Sequence, residues 1–156
     1  MIKVIFVCLG NICRSPMAEA LFRKKIEDAG LTTRIQIDSA GTGDWHLDHP
    51  PHEGTRNLLD KKGISYAGQI SRQVRADDLQ AFDYIICMDA SNVTNTKTFG
   101  EIGAGNFIGK LSDFVPNATW DDMPDPYFTG DFEETYRLVD QGCDHLLAEI
   151  REKHGL

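Results

Sequence analysis

Five residues separate Cys8 from Arg14, and Ser15 follows at once, in the stretch Val7-Cys8-Leu9-Gly10-Asn11-Ile12-Cys13-Arg14-Ser15-Pro16. These residue types suit covalent capture of a phosphoryl group. A free thiol is mostly protonated at pH 7, with an ordinary pKa of about 8.5. Beside an arginine at a helix N-terminus a thiol's pKa can fall to roughly 3.5–7.5, which yields a nucleophilic thiolate. Arg14 offers a planar fork of donors that matches two phosphate oxygens, which lysine does not. Gly10 lets the backbone approach an anion closely and take unusual dihedrals. Asn11 tolerates a left-handed conformation and can brace the loop. Ser15 can cap a helix or turn its hydroxyl to the sulfur of Cys8. Pro16 suits a first helical position. A bare C-x₅-R recurs by chance, and most loop cysteines are inert. The weight here comes from ten matched residues in a definite context.

That context is a strand, a loop and a helix. The apolar run Val4-Ile5-Phe6-Val7 leads into the loop, and a helical pattern begins at Pro16 and runs to about Ala29. Backbone N–H groups and the helix dipole favour an anion at such a junction. Met17, Leu21, Phe22, Ile26 and Ala29 share one helical face, and Gly30 stands beyond it as a stop. Further along, the spacing predicts a strand over 34–39, a helix over 53–62 ending at Gly63, a short helix over 77–82 and a strand over 84–88. It then predicts a helix over 90–99, a strand over 109–114 and a long helix over 131–153. Tyr84-Ile85-Ile86-Cys87-Met88 is continuously apolar, as a buried parallel strand should be. Strands alternating with helices give an α/β domain over residues 1–156: a doubly wound, four-stranded parallel sheet with helices on both faces. Sites in such folds lie at the carboxyl ends of strands, where Cys8 stands.

A thiolate that displaces an alkoxide or phenoxide is helped by an acid that protonates the leaving oxygen. Asp121, Asp122 and Asp125 lie in the long irregular stretch 113–130. Asp125 is the best candidate, because Pro126 stiffens the exit from its turn and Tyr127 and Phe128 follow at once. Trp45, in the loop 44–51, is expected to form an aromatic wall beside the anion loop, with Tyr127 and Phe128 opposite. His46, His49 and His52 lie close together, but their spacing around Pro50-Pro51 is a poor ligand arrangement, so no metal is expected. Cys87 and Cys143 read as small core residues.

The segment from Val7 to Ala20 resembles the signature of the low-molecular-weight protein tyrosine phosphatases, and Asp125-Pro126-Tyr127 matches that family's second signature. The resemblance covers essentially the whole chain. It implies phosphotyrosine or another aryl phosphate monoester as substrate, with Cys8 as nucleophile, Arg14 on the phosphate and Asp125 as general acid and then base. Leu9, Gly10, Asn11, Ile12, Cys13 and Ser15 would form the phosphate loop, and Trp45 and Tyr127 would flank the ring. It implies no cofactor, and a second role for Cys13 in trapping oxidised Cys8 as a disulfide. The chain departs from the family in places. His52-Glu53-Gly54 replaces an Asp and Arg pair, Gln69 is the nearest counterpart of a supporting His, and only the first of two tyrosines is kept, at Tyr127.

Three other activities compete. Thioredoxin-coupled arsenate reductases share the anion loop but relay through further cysteines in a flexible segment, and here only Cys87 is a candidate. Phosphoarginine phosphatases carry Thr where this chain has Ile12 and Phe where it has Tyr127. A phosphocarrier would need no acid such as Asp125.

Composition is ordinary for a soluble globular protein. The chain has 156 residues, 41% hydrophobic and 26% charged. It opens directly into a strand, with no cleavage pattern and no apolar run near 18 residues, so a cytoplasmic protein without a membrane span is expected. Four cysteines do not make a secreted disulfide framework. A formal charge of −8 argues against nucleic acid as partner. Local donors can still hold a phosphate, since exposed charges beyond about 10 Å are screened in salt. A monomer is the default expectation.

Overall fold

The run before the anion loop becomes the inner strand of the sheet. In a computed structural model that describes all 156 residues, β1 spans Ile2–Cys8 and pairs with β2 (Ile35–Gly41) on one side and β3 (Tyr84–Cys87) on the other. β4 (Phe107–Lys110) completes the order β2-β1-β3-β4, and every pair is parallel. β1 therefore sends its two neighbours to opposite sides, which opens a crevice at its carboxyl end.

Alternation along β1 sorts two cores. Val4, Phe6 and Cys8 face the larger one, under α1 (Arg14–Asp28) and α6 (Phe132–His154). Ile5 and Val7 face the smaller one, with Ala40, Leu79, Phe82, Ile85 and Cys87. Both faces of β1 and β3 are covered, which is why these strands read as unbroken apolar runs rather than alternating ones. α2 (Glu53–Lys62), α3 (Ala76–Ala81), α4 (Ala90–Thr96) and the one-turn α5 (Pro126–Thr129) complete the fold. No helix is long and apolar enough to cross a membrane.

The doubly wound sheet and the bounds of α2 are as the sequence predicts, including the left-handed Gly63 (φ 70°) after α2. Four bounds differ. The fourth strand is Phe107–Lys110, and the expected stretch 111–114 is a 3₁₀ turn. Asp113 reaches back to the Lys110 amide at 2.8 Å and closes that turn, while Leu111 is buried against Gly142 of α6. Local capping and one helix contact thus override the β-like run. α1 starts at Arg14, not Pro16, because Cys13 already has helical dihedrals and its carbonyl accepts from Met17. β2 continues to Gly41, which pairs with Cys8. α4 stops at Thr96 and tightens into a 3₁₀ turn over Lys97–Phe99.

Candidate active site

The carboxyl end of β1 turns straight into the loop, and most of the loop's own amides are left without a partner. The backbone N–H groups of Leu9, Gly10, Ile12, Cys13, Arg14 and Ser15 carry no hydrogen bond within the protein. The Asn11 amide donates to the sulfur of Cys8 at 3.2 Å. A ring of unpaired donors at the start of a 15-residue helix is an anion cradle. Such a cradle can hold an anion despite the net charge of −8, because fixed dipoles and one guanidinium act locally rather than through the protein's overall field.

Arg14 is 2% exposed and its fork is held from two sides. Its Nη1 donates to Asp89 Oδ2 at 2.8 Å and to the Met123 carbonyl at 3.0 Å, while Nη2 lies 3.3 Å from Asp125 Oδ2. Burial opposes the guanidinium charge, but Cys8, Asp125 and Asp89 outweigh it and raise its pKa further. Asp89 stands just beyond β3, at the adjacent strand end, and also caps α4 by accepting from Asn92. In sequence, Asp89-Ala90-Ser91-Asn92 reads only as a strand-to-helix turn. The strand-end rule that pointed to Cys8 applies equally to this carboxylate.

A cavity of about 400 Å³ opens above the cradle. Cys8, Leu9, Gly10, Ile12, Cys13, Arg14, Trp45, Asp125 and Tyr127, all site candidates in the sequence, line it together. Phe128 and His46 line it too, and His46 had been weighed only as a metal ligand. Trp45 is 68% exposed and lies against Gly43, where a side chain would overlap its ring. The rings of His46 and His52 flank Tyr127 at 6.0 and 5.9 Å, so two of the three histidines buttress the aromatic wall. His52 also caps α2 through Nδ1, which accepts from Gly54 at 3.0 Å.

Asn11 and Ser15, expected to contact substrate, lie behind the loop and line no part of the cavity. Asn11 is left-handed (φ 56°), as its residue type allows, while Gly10 is not at positive φ. Of the two roles open to Ser15, it takes the second: it sits inside the first helical turn, capping nothing, with its hydroxyl 3.0 Å from Cys8 Sγ. Asn11 can hold a left-handed conformation because its side chain is fully engaged. Nδ2 donates to Ser15 Oγ at 2.8 Å and Ser39 Oγ at 3.0 Å, and Oδ1 accepts from the Arg72 amide at 3.0 Å. Gln69, flagged as a departure, reaches the Pro16 carbonyl at 3.0 Å, so an amide supports the loop there.

Gly41 is the tightest contact behind the cradle. A Cβ there would stand 2.8 Å from the Leu9 carbonyl oxygen and 3.1 Å from the Asn11 nitrogen, both backbone atoms. Gly41→Ala must therefore displace the loop, at a cost of about 1–3 kcal/mol. We expect inorganic phosphate to bind roughly tenfold more weakly or worse, with unchanged helical circular dichroism. Unaltered phosphate affinity would show that the loop tolerates the shift.

The acid loop is clamped rather than free. Met123 donates to the Met88 carbonyl at 2.8 Å, Asp122 accepts from the Ala90 amide at 3.0 Å, and Lys110 pairs with Asp121 and Asp122. Asp125 caps α5 by accepting from Tyr127 at 3.1 Å, with Pro126 in the first helical position. Only Asp125, of the three aspartates, reaches the cavity.

The four cysteines are free and buried. Burial, then the nearby Cys8 and Asp125, push the Cys13 thiol up to about 12. Cys87 is pushed up to about 12, chiefly by burial, and Cys143 is raised by burial as well.

Comparison with known proteins agrees with this geometry. Residues 3–155 match the family model described as low molecular weight phosphotyrosine protein phosphatase. The chain is similar to the low molecular weight protein-tyrosine-phosphatase YfkJ of Bacillus subtilis, with 49% identity over 156 residues and all of both chains covered. The crystal structure of YfkJ superposes with a TM-score of 0.94 at 50% identity, covering 98% of this chain and 96% of that one. A more distant neighbour, the Drosophila arginine phosphatase, superposes with a TM-score of 0.83 at 29% identity, covering 96% and 98%. With the anion cradle, the buried arginine and the cavity carboxylate in one crevice, this chain belongs to the low molecular weight phosphotyrosine protein phosphatase family.

Proposed function

We propose that the protein hydrolyses phosphotyrosine in protein substrates through a phosphocysteine intermediate on Cys8. The observation that carries this is one cavity holding Cys8 Sγ, the free loop amides, Arg14 and the carboxyl of Asp125. The phosphate dianion binds to the amides and the guanidinium fork. Cys8 attacks phosphorus in line, and the P–S bond forms as the bond to the phenolic oxygen breaks. Asp125 gives its proton to that oxygen. Water then attacks phosphorus, Asp125 takes up its proton, and the P–S bond breaks to release inorganic phosphate. The charge that develops on the phosphoryl oxygens meets donors already in place, so no metal is called for.

Apolar and aromatic side chains around the cradle, Leu9, Ile12, Trp45, Tyr127 and Phe128, suit a flat aryl leaving group. Ile12 and Tyr127 are also the positions at which phosphoarginine phosphatases differ. Ile12 offers an apolar contact in place of a hydroxyl, which favours a phenyl ring over a guanidino group. The arsenate reductase reading gains nothing from Cys87, which is fully buried in β3 and held as a thiol. Four free cysteines suit a reducing compartment, and the cytoplasm is the proposed site of action.

Turnover of a phosphotyrosyl peptide and of phosphoarginine, each with and without EDTA, tests the reading. We expect the peptide to be hydrolysed equally well with the chelator. Phosphoarginine should be slower in kcat/KM by roughly tenfold or more. Preference for phosphoarginine would make that the substrate class.

A further inference from the structure

Trp45 walls the cavity from an exposed loop, and no polar contact fixes it there. The one indole hydrogen bond in the protein is made by Trp120. What Trp45 rests on is the Cα of Gly43, two residues back. A Cβ at Gly43 would overlap Cζ3 and Cε3 of the indole and stand 3.1 Å from Cη2. We propose that Gly43 is a positioning residue: its missing side chain is the seat of Trp45, and that seat sets where the aromatic wall stands over the cradle. This rests on the reading of the cavity as an aryl phosphate site.

The seat is tied to the anion loop by main-chain bonds. The Gly43 amide donates to the Leu9 carbonyl at 2.8 Å, and the Thr42 amide donates to the Cys8 carbonyl at 2.9 Å. On the other side, Gln73 Nε2 donates to the Thr42 carbonyl at 3.0 Å. The height of the indole above the phosphate site is therefore fixed by the loop that holds the phosphate. Backbone conformation does not explain the glycine, because Gly43 is not at positive φ. The three nearest atoms that a Cβ would meet all belong to Trp45, so the ring is the reason for the missing side chain. An exposed indole without a seat samples several rotamers, and ordering it on a ligand costs affinity. The seat orders it before the ligand arrives.

Gly43→Ala tests this without touching the cradle. The indole yields rather than the backbone, because at 68% exposure the ring can swing into solvent. Phenylphosphonate and methylphosphonate are suitable probes, since they share a headgroup and differ by the ring. Titrated calorimetrically, Gly43→Ala should bind phenylphosphonate about 2- to 10-fold more weakly, with methylphosphonate held within about twofold of wild type. Trp45→Ala should show the same selective loss. Adding Gly43→Ala to Trp45→Ala should then change nothing further, because the new methyl group meets no ring. A glycine that merely shaped the backbone would give losses that add, and would weaken both phosphonates.

Unchanged or tighter phenylphosphonate binding in Gly43→Ala, equal losses for both probes, or a further loss in the double variant overturns the proposal. The wild-type protein supplies a measurement that needs no variant at Gly43. Nuclear Overhauser contacts should join Gly43 Hα to the Hζ3 and Hε3 protons of Trp45, and their absence overturns the seat even if Gly43→Ala does not fold. A wild-type protein that holds phenylphosphonate no more tightly than methylphosphonate would overturn the aryl reading, and this role with it. A wild-type ring preference that Gly43→Ala leaves intact would remove the role of Gly43 alone.

Discussion

Cys8→Ser abolishes turnover while inorganic phosphate still binds. The expected loss in kcat is on the order of 10⁶, the size met when the nucleophile of a covalent hydrolase is removed. A serine hydroxyl in the cradle has no adjacent base to activate it. The side chain hydrogen-bonded at that position is the hydroxyl of Ser15, which is no general base. The anion site does not depend on the sulfur. The unpaired amides of the loop remain, and Arg14 stays clamped between Asp89 and the Met123 carbonyl. Phosphate titrated calorimetrically against wild type and variant should therefore give affinities within a few-fold of each other. Removal of the thiolate's negative charge should, if anything, favour the dianion. Retained turnover in Cys8→Ser, measured with p-nitrophenyl phosphate, would assign the attack to another group. Loss of phosphate binding would mean that the sulfur shapes the cradle.

Asp125→Asn is expected to cut kcat by roughly 10²–10⁴-fold with phenyl phosphate, the range for loss of a positioned general acid. The loss should shrink with p-nitrophenyl phosphate, whose leaving group is stable without a proton. The basic limb of the kcat profile should flatten, because that limb reports the acid in the complex. Geometry supports Asp125 over its neighbours. Its Oδ2 faces Arg14 at 3.3 Å across the cavity, while its Oδ1 is used to cap α5. An asparagine oxygen can keep that cap, so the variant tests chemistry with the turn intact. Asp121→Asn is the sound control, as its carboxylate meets only Lys110 at the surface. Asp122→Asn is not neutral, because Asp122 anchors the loop on the Ala90 amide and should shift KM and kcat together. A leaving-group dependence that Asp125→Asn leaves untouched would remove the acid from the scheme.

Local sequence carried the parts of this protein that are contiguous. The run from Val7 to Pro16 contains its own amides, its nucleophile candidate and its arginine, so strand, loop and helix follow from ten residues and their neighbours. The unbroken apolar stretches of β1 and β3 specified strands covered on both faces, and hence the parallel sheet. α2 was legible because Gly63 stops it without steric penalty. Tertiary structure decided what depends on partners distant in the chain. Asp89, 75 residues from Arg14, reaches it because parallel strands bring successive carboxyl ends together. The left-handed Asn11 is held by Ser39 and the Arg72 backbone, neither of which any local rule pairs with it. The 3₁₀ turn at 111–114 in place of a strand depends on Leu111 meeting Gly142 in a distant helix. Spacing along a chain encodes periodicity and caps, since those act over a few residues. Which side chains meet across the sheet is decided only once the sheet has closed.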